Sequence, residues 1–235
     1  MTVYGRHPVL EALKEGRVRR LWVARGVEEA LLRELRTLGA RFELVPRIEL
    51  DRRLGTTHHQ GIAAELEEIV WMDPEAPLRR AQERRELPLV VLLDGITDPR
   101  NYGAILRSAR ALGAHGVVSE ERRSAPLSPV ALKASAGAAY DLPLVRVKNL
   151  PRYQEFLKSK GLWIYGASLQ AAKPLRELDL RRPLALIIGS EGKGLRRLVA
   201  ERCDELVRIP LEGVESLNAA VALGIFLYEI REARE

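Results

Sequence analysis

The chain has 235 residues, of which 38 are Lys or Arg and 32 are Asp or Glu, giving a formal net charge of +6 with 46% hydrophobic residues. This is the composition of a globular chain, not a disordered or fibrous one. The longest uncharged run is the 13 residues from Ser216 to Tyr228, short of the roughly 20 apolar residues of a membrane span, and one Cys with four His leaves little material for disulfides or a zinc site, so neither a membrane nor a metal is expected.

The opening residues carry charges at Arg6, Glu11 and Lys14, where a signal peptide needs an unbroken apolar stretch. A cytoplasmic location is therefore expected. Residues 1–70 alternate helical and strand patterns: helix near 8–14, strand 20–24, helix 28–38, strand 41–45, helix 48–53 and strand 61–66. That is a compact α/β unit. Its first 27 residues hold six basic side chains against two acidic, with Arg17, Arg19, Arg20 and Arg25 close together; charge alone fits a solvated face as well as a nucleic-acid patch.

Residues 71–87 contain two Pro and four charges of each sign, with no apolar periodicity, and read as a linker with an exposed helical turn. From residue 88 the pattern restarts. Apolar strands are expected at 89–95, 116–119, 162–167, 184–188 and 206–209, separated by helix-length segments. Strands that are apolar throughout suit a parallel sheet covered on both faces, so a second, larger α/β domain is expected over 88–235.

Standard nucleotide fingerprints fail. Residues 189–194, GSEGKG, have the wrong glycine order for a dinucleotide turn. A P-loop would need Gly at Ile187 and Ser or Thr at Gly194. The only candidate nucleophile elbow, around Ser168, has Gln170 where its last Gly belongs.

Three other segments each place a strand before a polar turn and a helix, where α/β proteins bind ligands. In residues 92–114, Asp98 followed by Pro99 reads as a helix cap with Pro in the first turn, and Asn101 is one of only three Asn in the chain. In 186–199, glycines at 189, 192 and 194 let backbone approach a ligand, with Glu191 the only acid in the turn. In 208–229, Ser216 reads as a helix cap, Asn218 follows it, and Ala219–Leu227 reads as a helix apolar all round. Each segment alone also fits ordinary caps, turns and core.

Together and in order, the three segments resemble the motifs of the SpoU class of RNA ribose 2′-O-methyltransferases, in the SPOUT superfamily. The match is N-x-G-x(3)-R-S-A at Asn101–Ala109, G-x-E-G-x-G at Gly189–Gly194 and I-P-x(5)-S-L-N at Ile209–Asn218. V-Y-G-R-H-P-V at the start, H-H-Q-G-I at His58–Ile62, D-G-I-T-D-P at Asp94–Pro99 and C-D-E-L at Cys203–Leu206 are similar to the branch acting on guanosines of bacterial large-subunit rRNA. Lys193 and Ala219–Ala220 stand where relatives often carry other residues, which bears on loop shape.

The resemblance implies a ribosomal-protein-L30e-like RNA-binding domain over 1–70 and a methyltransferase domain with a deep trefoil knot. It implies S-adenosylmethionine as cofactor, a homodimer packed partly through the last helix, and rRNA or a precursor particle as partner. It further implies a catalytic set of Asn101, Arg107, Glu191, Ser216 and Asn218, with the cofactor held by Gly189, Ile209, Leu211, Leu217 and Asn218. Arg17, Arg19, Arg20, Arg79, Arg80 and Arg100, with Arg84 and Arg85, become candidate phosphate contacts, which position RNA without specifying sequence. The expected reaction is methylation of a guanosine 2′-hydroxyl in the peptidyl-transferase loop. A tRNA ribose methyltransferase and a non-catalytic ribosome-assembly protein are the competing readings.

Overall fold

The structure, a computed structural model, describes residues 2–14, 16–66 and 69–235. It divides into two compact units, residues 1–69 and 70–235.

The first unit runs β1 (Thr2–Tyr4), α1 (Arg6–Lys14), β2 (Val18–Ala24), α2 (Glu29–Thr37), β3 (Glu43–Val45), α3 (Arg47–Leu54) and β4 (Ile62–Leu66). Its sheet has the order β1-β4-β2-β3. The period-2 alternation of β2 and β4 divides their side chains between two faces. Leu21, Val23, Ile62 and Ala64 pack with Val9, Leu10, Leu31 and Leu35 of α1 and α2. Trp22, Ala24 and Ala63 pack with Leu50 of α3. Arg53 lies over the Trp22 ring, 4.8 Å from its centroid.

The second unit contains α4 (Ala76–Arg84), β5 (Leu89–Asp94), α5 (Pro99–Ala111), β6 (Gly116–Glu120), α6 (Pro129–Ser135), α7 (Ala138–Asp141), β7 (Leu144–Val147) and α8 (Leu150–Ser159). It continues through β8 (Trp163–Ala167), β9 (Lys173–Pro174), β10 (Leu184–Gly189), α9 (Arg197–Glu201), β11 (Glu205–Arg208) and α10 (Ala219–Arg234). The sheet order is β7-β6-β5-β10-β8-β11-β9, and every pairing in it is parallel. All strands therefore end at one edge. On one face Val90, Leu92, Val118, Ile164 and Ile187 pack with Leu150, Tyr153 and Leu157 of α8 and Val199 of α9. By alternation, Val91 and Leu93 face the opposite layer, where α5 packs against α10.

Two expectations need correction. Residues 71–87 are not a bare linker: α4 buries Ala76, Pro77 and Ala81, and Met72 pairs with Val145 beside β7. Sequence periodicity missed this because two small side chains and a Pro carry the contact. The final helix is not buried all round either, since Val221 and Tyr228 are 52% and 54% exposed.

Candidate active site

The site grows from helix starts at the carboxyl edge of the sheet. The Asp98 carboxylate accepts from the backbone N–H of Arg100 at 2.7 Å and of Asn101 at 2.9 Å, so the first turn of α5 is fixed. The cap of α10 is Asn218 rather than Ser216: its Oδ1 accepts from Ala220 N at 2.9 Å and Val221 N at 3.3 Å. That leaves the Asn218 Nδ2 donors pointing away from the helix.

The turn after β10 supplies the partner. A Cβ on Gly189 would stand 2.2 Å from Gly194 C and 2.3 Å from its O. Only glycine permits this closure, in which Gly194 N donates to Ser190 O at 2.9 Å. The closed turn carries Glu191 to both helix starts. Glu191 Oε1 accepts from Asn101 Nδ2 at 2.8 Å, Asn218 Nδ2 at 2.6 Å and Ala219 N at 3.2 Å, while Asn218 Nδ2 also donates to Asn101 Oδ1 at 2.8 Å. The structure thus gathers one polar residue from each of the three segments. A carboxylate held by three donors offers its remaining lone pairs in a fixed direction.

Beside this cluster lies a cavity of about 480 Å³, whose walls include Gly189, Ile209, Leu211, Ser216 and Leu217 with Glu191. Four of the five residues expected to hold the cofactor line it, and the fifth, Asn218, sits between Leu217 and Ala219 of the wall. Sequence reading missed the part of the wall formed by Ala167 at the end of β8 and Ser168–Gln170 beyond it, together with Lys193, Arg197 and Phe226. The signal available for it was positional, since the segment follows a strand end.

Two expected residues stay outside the cluster. Arg107 is exposed on α5, with no hydrogen-bond or ion-pair partner among the described residues. Ser216 is exposed in the cavity wall.

Of the expected phosphate contacts, Arg19 and Arg20 are exposed, each 3.9 Å from Glu65. Arg17 is half-buried. Arg100 is exposed, and Arg79 is paired with Asp73 at 2.9 Å. Arg80 points inward: its side chain is 15% exposed and donates to Asp141 O, which leaves it little surface for a phosphate.

A buried ion network underpins the edge. Asp94, at the end of β5, accepts from Arg196 N at 2.8 Å and from Arg196 Nε. Burial works against the charged Arg196, and the carboxylates of Glu120 and Asp94 outweigh it, so its guanidinium is held above the ordinary range. This ties the start of α9 to β5 and fixes the turn carrying Glu191. Among the described residues, no group of three or more His, Cys, Asp or Glu is placed to hold a metal ion, and no helix is long and apolar enough to cross a membrane.

A glycine turn, an apolar cleft and a cluster of carboxamides and carboxylate at the carboxyl edge of a parallel sheet define an α/β enzyme with its ligand site outside the strand ends. Residues 88–228 match the SpoU rRNA methylase family, and residues 2–69 match the RNA 2′-O ribose methyltransferase substrate-binding family. The chain is 40% identical to a putative TrmH family tRNA/rRNA methyltransferase, YacO, of Bacillus subtilis, over 99% of this chain and 95% of that protein. It is 41% identical to the 23S rRNA (guanosine-2′-O-)-methyltransferase RlmB of Coxiella burnetii, over 100% of this chain and 96% of that one. Among solved structures, the SpoU methyltransferase AviRb from Streptomyces viridochromogenes in complex with AdoMet superposes with a TM-score of 0.70 at 28% identity, covering 100% of this chain and 90% of that one.

The chain belongs to the SpoU rRNA methylase family. It is an RNA methyltransferase whose methyl donor is S-adenosylmethionine. The cavity suits that donor: its volume falls within the range of small-molecule sites, its walls offer apolar side chains for an adenine, and the Gly189 turn brings backbone to its surface.

Proposed function

We propose that this protein methylates the ribose 2′-hydroxyl of a guanosine in the peptidyl-transferase loop of large-subunit rRNA. The observation that carries the chemistry is the Asn101–Glu191–Asn218 cluster beside the cavity lined by Gly189, Ile209, Leu211 and Leu217. The choice of an rRNA guanosine is supported by the RlmB relative, which is similar over the full chain. Action in the cytoplasm follows from that substrate.

S-adenosylmethionine, when bound, supplies an electrophilic methyl group on a sulfonium. The backbone and apolar side chains at Gly189, Ile209, Leu211 and Leu217 hold it and exclude water. Glu191, fixed by three donors, orients the ribose hydroxyl through its free lone pairs, and Asn101 and Asn218 hold Glu191 in place, with Ser216 completing the polar wall. Alignment of this kind lowers the barrier by prepaid orientation.

As the hydroxyl loses its proton, negative charge grows on its oxygen, and Arg107 is the cation assigned to it and to an adjoining phosphate. A guanidinium keeps its proton, so Arg107 stabilises charge while water or a substrate phosphate takes the proton. Six positions along the helix set Arg107 about 120° around α5 from Asn101. That offset suits a site completed by a second copy.

The homodimer itself is supported by the exposed apolar stripe of Val221 and Tyr228 on α10. Placement of β10 between β5 and β8 supports a knotted C-terminal end, and the match of residues 2–69 to the RNA 2′-O ribose methyltransferase substrate-binding family supports an L30e-like RNA-binding role for the first unit.

The test is transfer of labelled methyl from S-adenosylmethionine to unmodified large-subunit rRNA and, in parallel, to unmodified tRNA, with the modified position mapped. Label on a peptidyl-transferase-loop guanosine is expected. Label on tRNA alone keeps the chemistry and overturns the substrate. Label only on a precursor particle makes an assembly intermediate the substrate, and cofactor binding without transfer to any RNA overturns the catalytic reading.

A further inference from the structure

The same edge of the sheet holds a second cavity, of about 470 Å³, that the methyl-transfer chemistry does not use. It lies at the ends of β6 and β7 and the start of α9. Its charged walls are Arg122, Arg123, Lys148, Arg196 and Arg197, against the single acid Glu120. Glu120 is largely occupied: its Oε1 accepts from Leu150 N at 2.8 Å and its Oε2 faces Arg196 NH2 at 2.9 Å. That Arg196 nitrogen is buried and lacks hydrogen-bond geometry to any acceptor, which leaves a donor unfilled.

Arg197 is paired with Glu201 at 3.3 Å, and the three remaining cations are freer. Arg123 reaches Glu120 only at 3.9 Å and is 60% exposed. Among the described residues neither Arg122 nor Lys148 has an acid within ion-pair distance. The start of α8 contributes little here, because Asn149 Oδ1 and Glu120 already accept from Arg152 N and Leu150 N. A cavity with this excess of unpaired positive charge concentrates anions.

Its position narrows the anion. Arg197 lines both this cavity and the cofactor cavity, so the two are neighbours across the start of α9. Both open where parallel strands end. An RNA strand bearing a ribose at the Glu191 cluster carries a phosphate on either side of every sugar.

Resting on the methyltransferase reading above, we propose that this cavity binds a backbone phosphate of the substrate RNA, near the methylated nucleotide, through Arg122, Arg123 and Lys148. The contact positions the strand and reads no base. It also sets salt dependence: each phosphate contact releases counterions, with a slope of about 0.7 in log affinity per log salt for single strands.

The test compares two variants of the full chain. Arg122→Ala/Arg123→Ala/Lys148→Ala removes the cavity cations. Lys173→Ala/Arg176→Ala/Lys160→Ala removes as much charge at exposed positions that do not line the cavity. RNA affinity by filter binding across a salt series, KM and kcat for methyl transfer, and S-adenosylmethionine affinity by calorimetry are measured on each.

For the cavity variant, RNA affinity is expected to fall roughly 10-fold at 0.1 M salt, with the salt slope reduced by about 0.7, the share of one phosphate contact, while cofactor affinity is unchanged. Equal losses in the two variants, or an unchanged salt slope in the cavity variant, overturn the proposal. A wild-type protein that binds cofactor and transfers methyl to no RNA overturns the underlying reading instead, and the two failures are told apart by the wild-type arm. Unchanged cofactor affinity shows that the exposed substitutions leave the fold intact.

Discussion

Asn218→Asp isolates the polar cluster from everything else that Asn218 does. The side chains are nearly isosteric, and Oδ1 continues to accept from Ala220 N and Val221 N, at 2.9 and 3.3 Å. Asp caps a helix as well as Asn, so the α10 start survives. What changes is the Nδ2 atom, which now donates to Glu191 Oε1 at 2.6 Å and Asn101 Oδ1 at 2.8 Å. As a carboxylate oxygen it can donate to neither.

Two like charges at that 2.6 Å separation repel by about 2 kcal/mol in water and about 6 kcal/mol at an effective dielectric near 20. Asn218 and Glu191 are exposed, which favours the lower end. The two lost hydrogen bonds contribute about 1 kcal/mol each. Glu191 relieves the clash by leaving its place, and the alignment of the ribose goes with it.

A loss of about 2 to 4 kcal/mol of transition-state stabilisation is a fall of roughly 30- to 1000-fold in turnover. The assay is methyl transfer to rRNA at saturating cofactor, with thermal unfolding alongside to show that the variant remains folded at the assay temperature. A like-charged pair favours uptake of a proton, so the deficit should be larger at pH 8 than at pH 5. Turnover within about threefold of wild type at pH 8, with the fold intact, would refute the claim that this cluster aligns the reacting group.

Replacing Arg107 separates charge from fork geometry: Arg107→Ala should reduce turnover by about 100-fold or more, and Arg107→Lys near wild type would show that charge alone suffices, both read from kcat with unchanged unfolding because the side chain is exposed. Leu217→Arg places a charge in the wall of the cofactor cavity and should weaken S-adenosylmethionine binding in calorimetry by at least about 10-fold; unaltered affinity would remove Leu217 from the cofactor site. Gly103→Ala should destabilise the protein by about 1 to 3 kcal/mol despite the better helix propensity of Ala, because its Cβ would stand 2.2 Å from Ala131 O where α5 meets α6; denaturant unfolding with an unchanged or raised midpoint would contradict this.

Strand and helix positions were largely legible because they rest on short-range rules. The apolar runs at 89–93 and 184–188 lie in buried central strands of the parallel sheet, and Asp98–Pro99 opens α5 as its chemistry suggests. Short elements were not legible. Strand β7, of four residues, and helices α6 and α7 carry too few turns for a period to show. The cap of α10 was misplaced by two residues because Ser216 and Asn218 are both good capping residues, and only the path of the turn decides between them.

From sequence alone came the longer strands and helices, the capped start of α5, and the residues unusual for this chain: few Asn and one acid in a glycine turn. Tertiary structure alone decided that Asn101, Glu191 and Asn218 meet, across separations of 90, 27 and 117 residues. It also decided that Arg80 turns inward, and that Arg122, Lys148 and Arg197 share a cavity. The reason is topological. Local periodicity and capping act over a few residues, whereas these juxtapositions follow from β10 entering the sheet between β5 and β8, an order set by how all the strands bury their faces together.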